Sequence, residues 1–179
     1  MNAPFAPQSA ETTEIVQADL HDPDCAAKVA AFVEMHGGSP FHLPGWLLAI
    51  EHGTGQQAHG LVAERAGQVV GWLPLTLVHS PLFGRALVSS GFAVDGGILA
   101  SEPYVAQRLA DAANELAVRQ SCSDVELRGG ETPSGWQTIS GKHSGFVCDL
   151  APDDEAQLLA IPRKQRAEVR KSLKNPLTV

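Results

Sequence analysis

The spacing of apolar positions changes along the chain, and each change marks an element. Residues 14–18 (EIVQA) form a short strand-type run. Asp22 and Pro23 then stand as N-cap and first helical position of a helix reaching about His36, with Val29, Phe32 and Val33 on its inward stripe. Gly37 and Gly38 end it. After Ser-Pro-Phe-His-Leu-Pro, a second short helix over 45–52 carries Trp46, Leu47 and Ile50.

Residues 58–64 and 69–78 are strand-type runs joined at Ala66-Gly67, a hairpin turn. Leu73, Leu75 and Leu77 alternate with Trp72, Pro74, Thr76 and Val78, and Pro74 argues for an edge or bulged position. Residues 82–91 begin another strand, continued by 92–100 past a Ser-Ser-Gly interruption. Ser101 caps a long helix to about Gln120, with Pro103 in its first turn and Val105, Leu109, Ala112 and Leu116 on its apolar face. Strands follow at 124–127 (DVEL) and 146–150 (FVCDL). Pro152 and Asp153 start a helix to about Ala160, and Pro162 starts the last one, to Lys174. The order predicts an α/β fold in which a mixed sheet, built on an antiparallel meander over 58–99, is flanked by helices. It does not suit an alternating, doubly wound sheet.

A hydrophobic fraction of 44% is ample for a packed core in 179 residues. Residues 1–13 contain neither a basic nor an apolar signal region and read as a disordered lead. No apolar run approaches a membrane span, so a soluble, cytoplasmic protein is expected. Cys25, Cys122 and Cys148 are scattered and odd in number, and none forms a CxxC pair, which supports neither a disulfide framework nor a zinc site. The net charge of −7 is unevenly spread. Residues 163–174 hold six of the 13 basic residues and one acid, whereas the rest of the chain has seven basic and 19 acidic residues. The acidic body disfavours non-specific nucleic-acid binding, and an anionic partner should meet the C-terminal segment.

The seven histidines form no HxH, HxxxH or HExxH pattern, so no metal is expected. Nucleophile elbow, Walker loop and dinucleotide fingerprint are absent too. Three segments remain as candidates. In residues 39–46 (SPFHLPGW), two prolines fix a backbone that presents Phe41, His42 and Trp46, rings suited either to gripping a mixed polar and apolar ligand or to anchoring a core. Residues 88–97 interrupt a strand with three glycines and Asp95, which reads as a bulge, a tight turn or a cleft. His42, Trp46 and Asp95 are expected to share one pocket. In the last helix, Arg163, Arg166, Arg170 and Lys174 recur at spacings of three, four and four and so share a face. Such a row suits phosphate or carboxylate, or a solvated helix between domains.

Residues 39–47, 73–100 and 161–174 together resemble FemAB-related proteins of the GNAT superfamily. The subgroup associated with PEP-CTERM and exosortase systems is the most similar, and the resemblance covers about residues 12–179. It implies a tandem of two GNAT-like domains: the first over 14–160, then a basic linker helix and the start of a missing second domain over 161–179. It also implies transfer of an acyl or aminoacyl group, from acyl-coenzyme A or aminoacyl-tRNA, to an amine of a cell-envelope or exopolysaccharide-related acceptor. The first domain would contribute acceptor binding through His42, Trp46 and Asp95, with Arg163, Arg166 and Arg170 on the linker helix, and tRNA would be the one nucleic acid involved. One departure stands out. A GNAT pyrophosphate loop needs glycines so that backbone N–H groups reach the phosphates at a helix N-terminus. The best approach to that motif, residues 57–62 (QAHGLV), lacks its last small residue and sits at a strand start. A non-catalytic GNAT-like binding module is the alternative.

Overall fold

The computed structural model describes residues 12–82, 84–141 and 146–176. The chain divides into two compact units, Met1–Gln137 and Thr138–Val179. In the first, elements run β1 (Glu14–Gln17), α1 (Pro23–Met35), a 3-10 turn (Pro40–His42), α2 (Pro44–Thr54), β2 (Gln57–Arg65), β3 (Gln68–Ser80), β4 (Gly84–Ser89), β5 (Leu99–Ala100), α3 (Pro103–Arg119) and β6 (Asp124–Glu126). The sheet order is β1-β2-β3-β4-β6, with β5 also on β3. All neighbours are antiparallel except β4 and β6, which are parallel and joined through α3. This is the expected mixed sheet with its antiparallel meander. At the β2–β3 hairpin, Ala66 and Gly67 both take positive φ (51° and 74°), the type I′ geometry that matches strand twist.

Strand alternation sends side chains to two separate cores. On one face, Leu61, Ala63, Leu73, Leu75, Leu77 and Leu87 meet Val105, Leu109, Ala113 and Leu116 of α3. On the other, Val62 and Trp72 meet Val29, Phe32 and Val33 of α1 and Leu47 of α2. Two glycines permit this closeness. A Cβ on Gly60 would run into the Trp72 ring, and one on Gly71 would strike Val105 and Leu109. Trp72, Leu47, Leu73, Leu75 and Leu109 are fully buried, and each such aliphatic side chain contributes about 1.5–3 kcal/mol.

Several boundaries differ from expectation for local physical reasons. Pro74 lies inside β3, not at an edge, yet it costs no ladder bond. β3 pairs β5 at Gly71 and Trp72 and β4 from Leu75 onward, so Pro74 occupies the gap between the two. Its carbonyl accepts from Ser90 N–H (3.1 Å), and its missing N–H would have faced the same gap. Of the strand expected over 92–100, Leu99–Ala100 alone pairs; the rest loops out. Glu102, not Ser101, is the N-cap of α3. The segment 146–150 is not a strand, and Phe146 and Val147 are almost fully exposed.

The second unit contains α4 (Asp154–Ala160) and α5 (Arg163–Ser172). Asp153 caps α4 through Ala156 N–H (2.8 Å), as Asp22 caps α1 through Asp24 and Cys25. None of the described residues from 138 onward is buried. Of the lead expected over 1–13, Thr12 and Thr13 fall within the described residues, and Thr13 is buried, its hydroxyl accepting from Arg65 Nε (3.1 Å). The rest of the lead, and residues 177–179 expected to open a second domain, lie outside the described residues. Among the described residues, no helix is long and apolar enough to cross a membrane.

Candidate functional site

β4 ends at Ser89 and β5 resumes the strand at Leu99. The excursion between them, residues 90–98, is where the Pro-flanked aromatic segment and the glycine-rich break meet. Pro40 and the cap at Ser39 wind residues 40–42 into one 3-10 turn that aims the His42 ring inward. Ser39 N–H and hydroxyl both lie against Nδ1 (3.0 and 2.9 Å). Nδ1 is therefore the acceptor, and the proton on Nε2 is donated to Gly97 O (3.1 Å). Burial lowers the His42 pKa below its ordinary value, with the Asp95 carboxylate pulling the other way. One turn later, Trp46 Nε1 donates to Gly91 O (3.2 Å). Phe41 stands edge-on to Trp46 at 4.8 Å between centroids, and the Phe41 carbonyl accepts from Ser90 Oγ. Trp72 Nε1, from beneath, donates to His42 O (2.8 Å).

The excursion is also fastened from β6. Arg128 N–H donates to Ser89 Oγ (2.7 Å), and its guanidinium reaches Ala93 O (2.8 Å) and Glu126 (2.7 Å). Inside this frame Ser90 and Phe92 hold positive φ (47° and 62°), a costly conformation for residues other than glycine. Facing outward are Phe92 (58% exposed), Val94 (86%) and the partly exposed Asp95. The Asp95 carboxylate has no hydrogen-bond partner among the described residues, whereas a Cβ on Gly129 would press against it.

His42, Trp46 and Asp95 are thus brought to one place, but unequally. His42 and Trp46 each donate a ring N–H to a backbone carbonyl of the excursion, His42 Nδ1 accepting from Ser39, and act as struts; the Asp95 carboxylate accepts no hydrogen bond among the described residues. Arg163, Arg166 and Arg170 lie in the second unit. There Arg166 is bound back onto its own chain, Nε and Nη2 donating to Ile161 O (3.1 and 3.0 Å), while Arg163 and Arg170 are exposed. The sequence reading singled out residues 88–97 but gave no role to Ser89, Phe92 or Val94 among them, and it missed Arg128. The overlooked signal is the second diglycine, Gly129-Gly130, which the fold sets against Gly96-Gly97.

Two open cavities of about 350 Å³ each lie elsewhere, one beside Gln17, Asp19 and His21, the other beside Gln57, His79 and Arg85. Among the described residues, no cluster of His, Cys, Asp or Glu could hold a metal.

A phosphate-bearing donor such as acyl-coenzyme A would be recognised at a helix N-terminus behind a glycine-rich turn. The residues do not fit. Residues 57–62 are a paired stretch of β2. The turn before α3 is Ala100-Ser101-Glu102-Pro103, without glycine, and Pro103 removes a backbone donor. Glu102 is an anion there: the Arg65 guanidinium at 2.8 Å holds its carboxyl below the usual range.

No protein-family model and no curated protein match the chain. Solved structures do. A ribosomal-protein-alanine N-acetyltransferase from Brucella melitensis biovar Abortus 2308 superposes with a TM-score of 0.50 at 20% identity, over 78% of this chain and 100% of that one. An aminoglycoside acetyltransferase from an uncultured soil metagenomic sample gives 0.50 at 10% identity, over 78% and 99%. A GNAT family acetyltransferase from Staphylococcus aureus gives 0.49 at 12%, over 75% and 98%. The likeness to the first two, at these identities, is one of fold: a mixed α/β sheet flanked by helices, as in those acetyltransferases.

Proposed function

We propose that this chain is the acceptor-binding part of a GNAT-type acyl- or aminoacyl-transferase. The observation that carries the reading is the excursion 90–98, fastened at the carbonyls of Gly91, Ala93 and Gly97, which presents the Asp95 carboxylate, without a hydrogen-bond partner among the described residues, beside the exposed Phe92 and Val94. A carboxylate flanked by apolar surface suits a protonated amine on a partly apolar scaffold. Aminolysis of an acyl donor needs orientation of the amine more than a protein nucleophile, and His42 has no free ring nitrogen to serve as a base, since both are engaged. Resemblance to FemAB-related, PEP-CTERM-associated proteins supports an envelope or exopolysaccharide precursor as acceptor and a cytoplasmic setting. On this reading the donor, acyl-coenzyme A or aminoacyl-tRNA, is held by a second domain of the same fold, and Arg163 and Arg170 meet anionic groups of a substrate.

A second reading, a non-catalytic binding module for an envelope intermediate or partner protein, is favoured by Glu102 and Pro103 at the start of α3. Titration of primary amines, aminosugars included, tests the common ground. Asp95→Asn should weaken amine binding about tenfold, roughly 1.4 kcal/mol, with the fold intact. Equal affinity of wild type and variant would remove Asp95 from the site. Acyl-coenzyme A with a bound amine tests the donor side: both readings expect no thiol release by this chain alone, and release would overturn both the module and the placing of the donor on a second domain.

A further inference from the structure

In open α/β sheets, ligands bind beyond the carboxyl ends of parallel strands, where neighbouring connections diverge. Here that place is the end of β4 and β6, whose parallel register runs Ala86↔Asp124, Leu87↔Val125 and Val88↔Glu126 and then stops. From the next step the ladder is replaced by a side chain, Ser89 Oγ accepting from Arg128 N–H. The strands part by the reach of a hydroxyl, and a crevice should open.

We infer that this crevice is closed by the chain's own backbone, so that this copy of the fold takes no nucleotide-bearing thioester donor. The closure is the crossing of the two diglycines. A Cβ on Gly97 would collide with the carbonyl of Gly129 and approach Gly130 N to 3.1 Å, and a Cβ on Gly130 would lie 3.0 Å from both Ile98 N and Ile98 O. Main chain therefore rests on main chain, with no side chain between and no width for a pantetheine arm. Gly96, Gly129 and Gly130 also hold positive φ (115°, 72° and 76°), which reserves these positions for glycine twice over. The crossing is clamped on both flanks, by His42 Nε2 on Gly97 O and by the Arg128 guanidinium on Ala93 O. The second obstacle is independent: the Glu102 carboxylate and Pro103 stand where α3 would have offered N–H groups to a diphosphate. This inference goes beyond the acceptor reading and does not depend on it.

The test uses the chain itself and two readouts. Coenzyme A and acetyl-coenzyme A, titrated to millimolar concentration and followed by amide chemical shifts, should leave residues 96–106 and 127–130 unmoved. Saturable shifts there would overturn the closure, whatever the amine titrations show. Gly97→Ala should lower the Tm by several degrees, because backbone cannot yield as a side chain can. An unchanged Tm would mean that the two glycine pairs are not in contact and would overturn it too. If Gly97→Ala does not fold, the crossing is upheld, and the titration of the wild-type chain still decides the donor question.

Discussion

The two buried histidines charge only at a cost, and this should be visible in the pH dependence of stability. Burial lowers the pKa of both His42 and His59 from the ordinary 6.5, opposed by the charges of Asp95 and Glu51 respectively. The unfolded chain therefore binds more protons just below pH 6.5 than the folded one. Stability should be complete above that pH and decline as the pH falls from it toward the lower folded values. Urea midpoints between pH 7.5 and 5 check this; a flat profile would contradict it. The two rings differ in satisfaction. His42 has partners for both nitrogens, whereas His59 meets Gln17 at Nδ1 (2.9 Å) and leaves Nε2 buried without a partner among the described residues. A lone buried donor costs about 1–3 kcal/mol, so His59→Leu should keep or raise stability and flatten the acid limb. Gly60→Ala should do the opposite, costing roughly 1–3 kcal/mol through the Trp72 ring. Pattern alone could single out His42, but not its role. That role is set by Gly97, 55 residues away.

At the scale of elements, what was legible is what local sequence decides. Asp22-Pro23 and Asp153 announce their helices, and both caps are made; Asp22→Ala should cost about 1 kcal/mol in thermal or urea unfolding. Ala66-Gly67 announces its hairpin. What was not legible depends on partners distant in sequence. Pro74 is tolerated inside β3 because β4 and β5 leave its position unpaired, a fact that no window around residue 74 contains. Residues 92–98 have strand-like composition but loop out, because His42 and Arg128 take over the carbonyls of Gly97 and Ala93. Residues 146–150 have the same apolar character and lack a strand beside them among the described residues. The regular spacing of basic residues in α5 likewise concealed a division of labour. Arg166 is tied to Ile161 O at the junction with α4, and Arg163 is not. Arg166→Ala should speed amide exchange around 161–166, and Arg163→Ala should not. Equal effects would show that the junction does not need that bond.

Over the whole molecule, the two units are built on different amounts of core. The first sandwiches its sheet between α3 on one face and α1 with α2 on the other, and opening α3 would expose Val105, Leu109, Ala113 and Leu116 together. Exchange there requires something close to global unfolding. In the second unit neither α4 nor α5 has a buried residue, and Leu159 and Leu173 stand 53% and 74% exposed. A ten-residue helix lies below the length that is stable alone in water. The charges on α5, with Arg163, Lys164, Arg170 and Lys171 all solvated, add little at ordinary ionic strength. Hydrogen exchange on the 179-residue chain should therefore be slow across 103–119 and fast across 163–172. A ligand or partner that covers α5 should slow the second segment alone, since the first already opens only with the fold. Equal protection of the two helices in the isolated chain would mean that α5 draws stability from a packing partner, and the view of it as an exposed basic arm would fall.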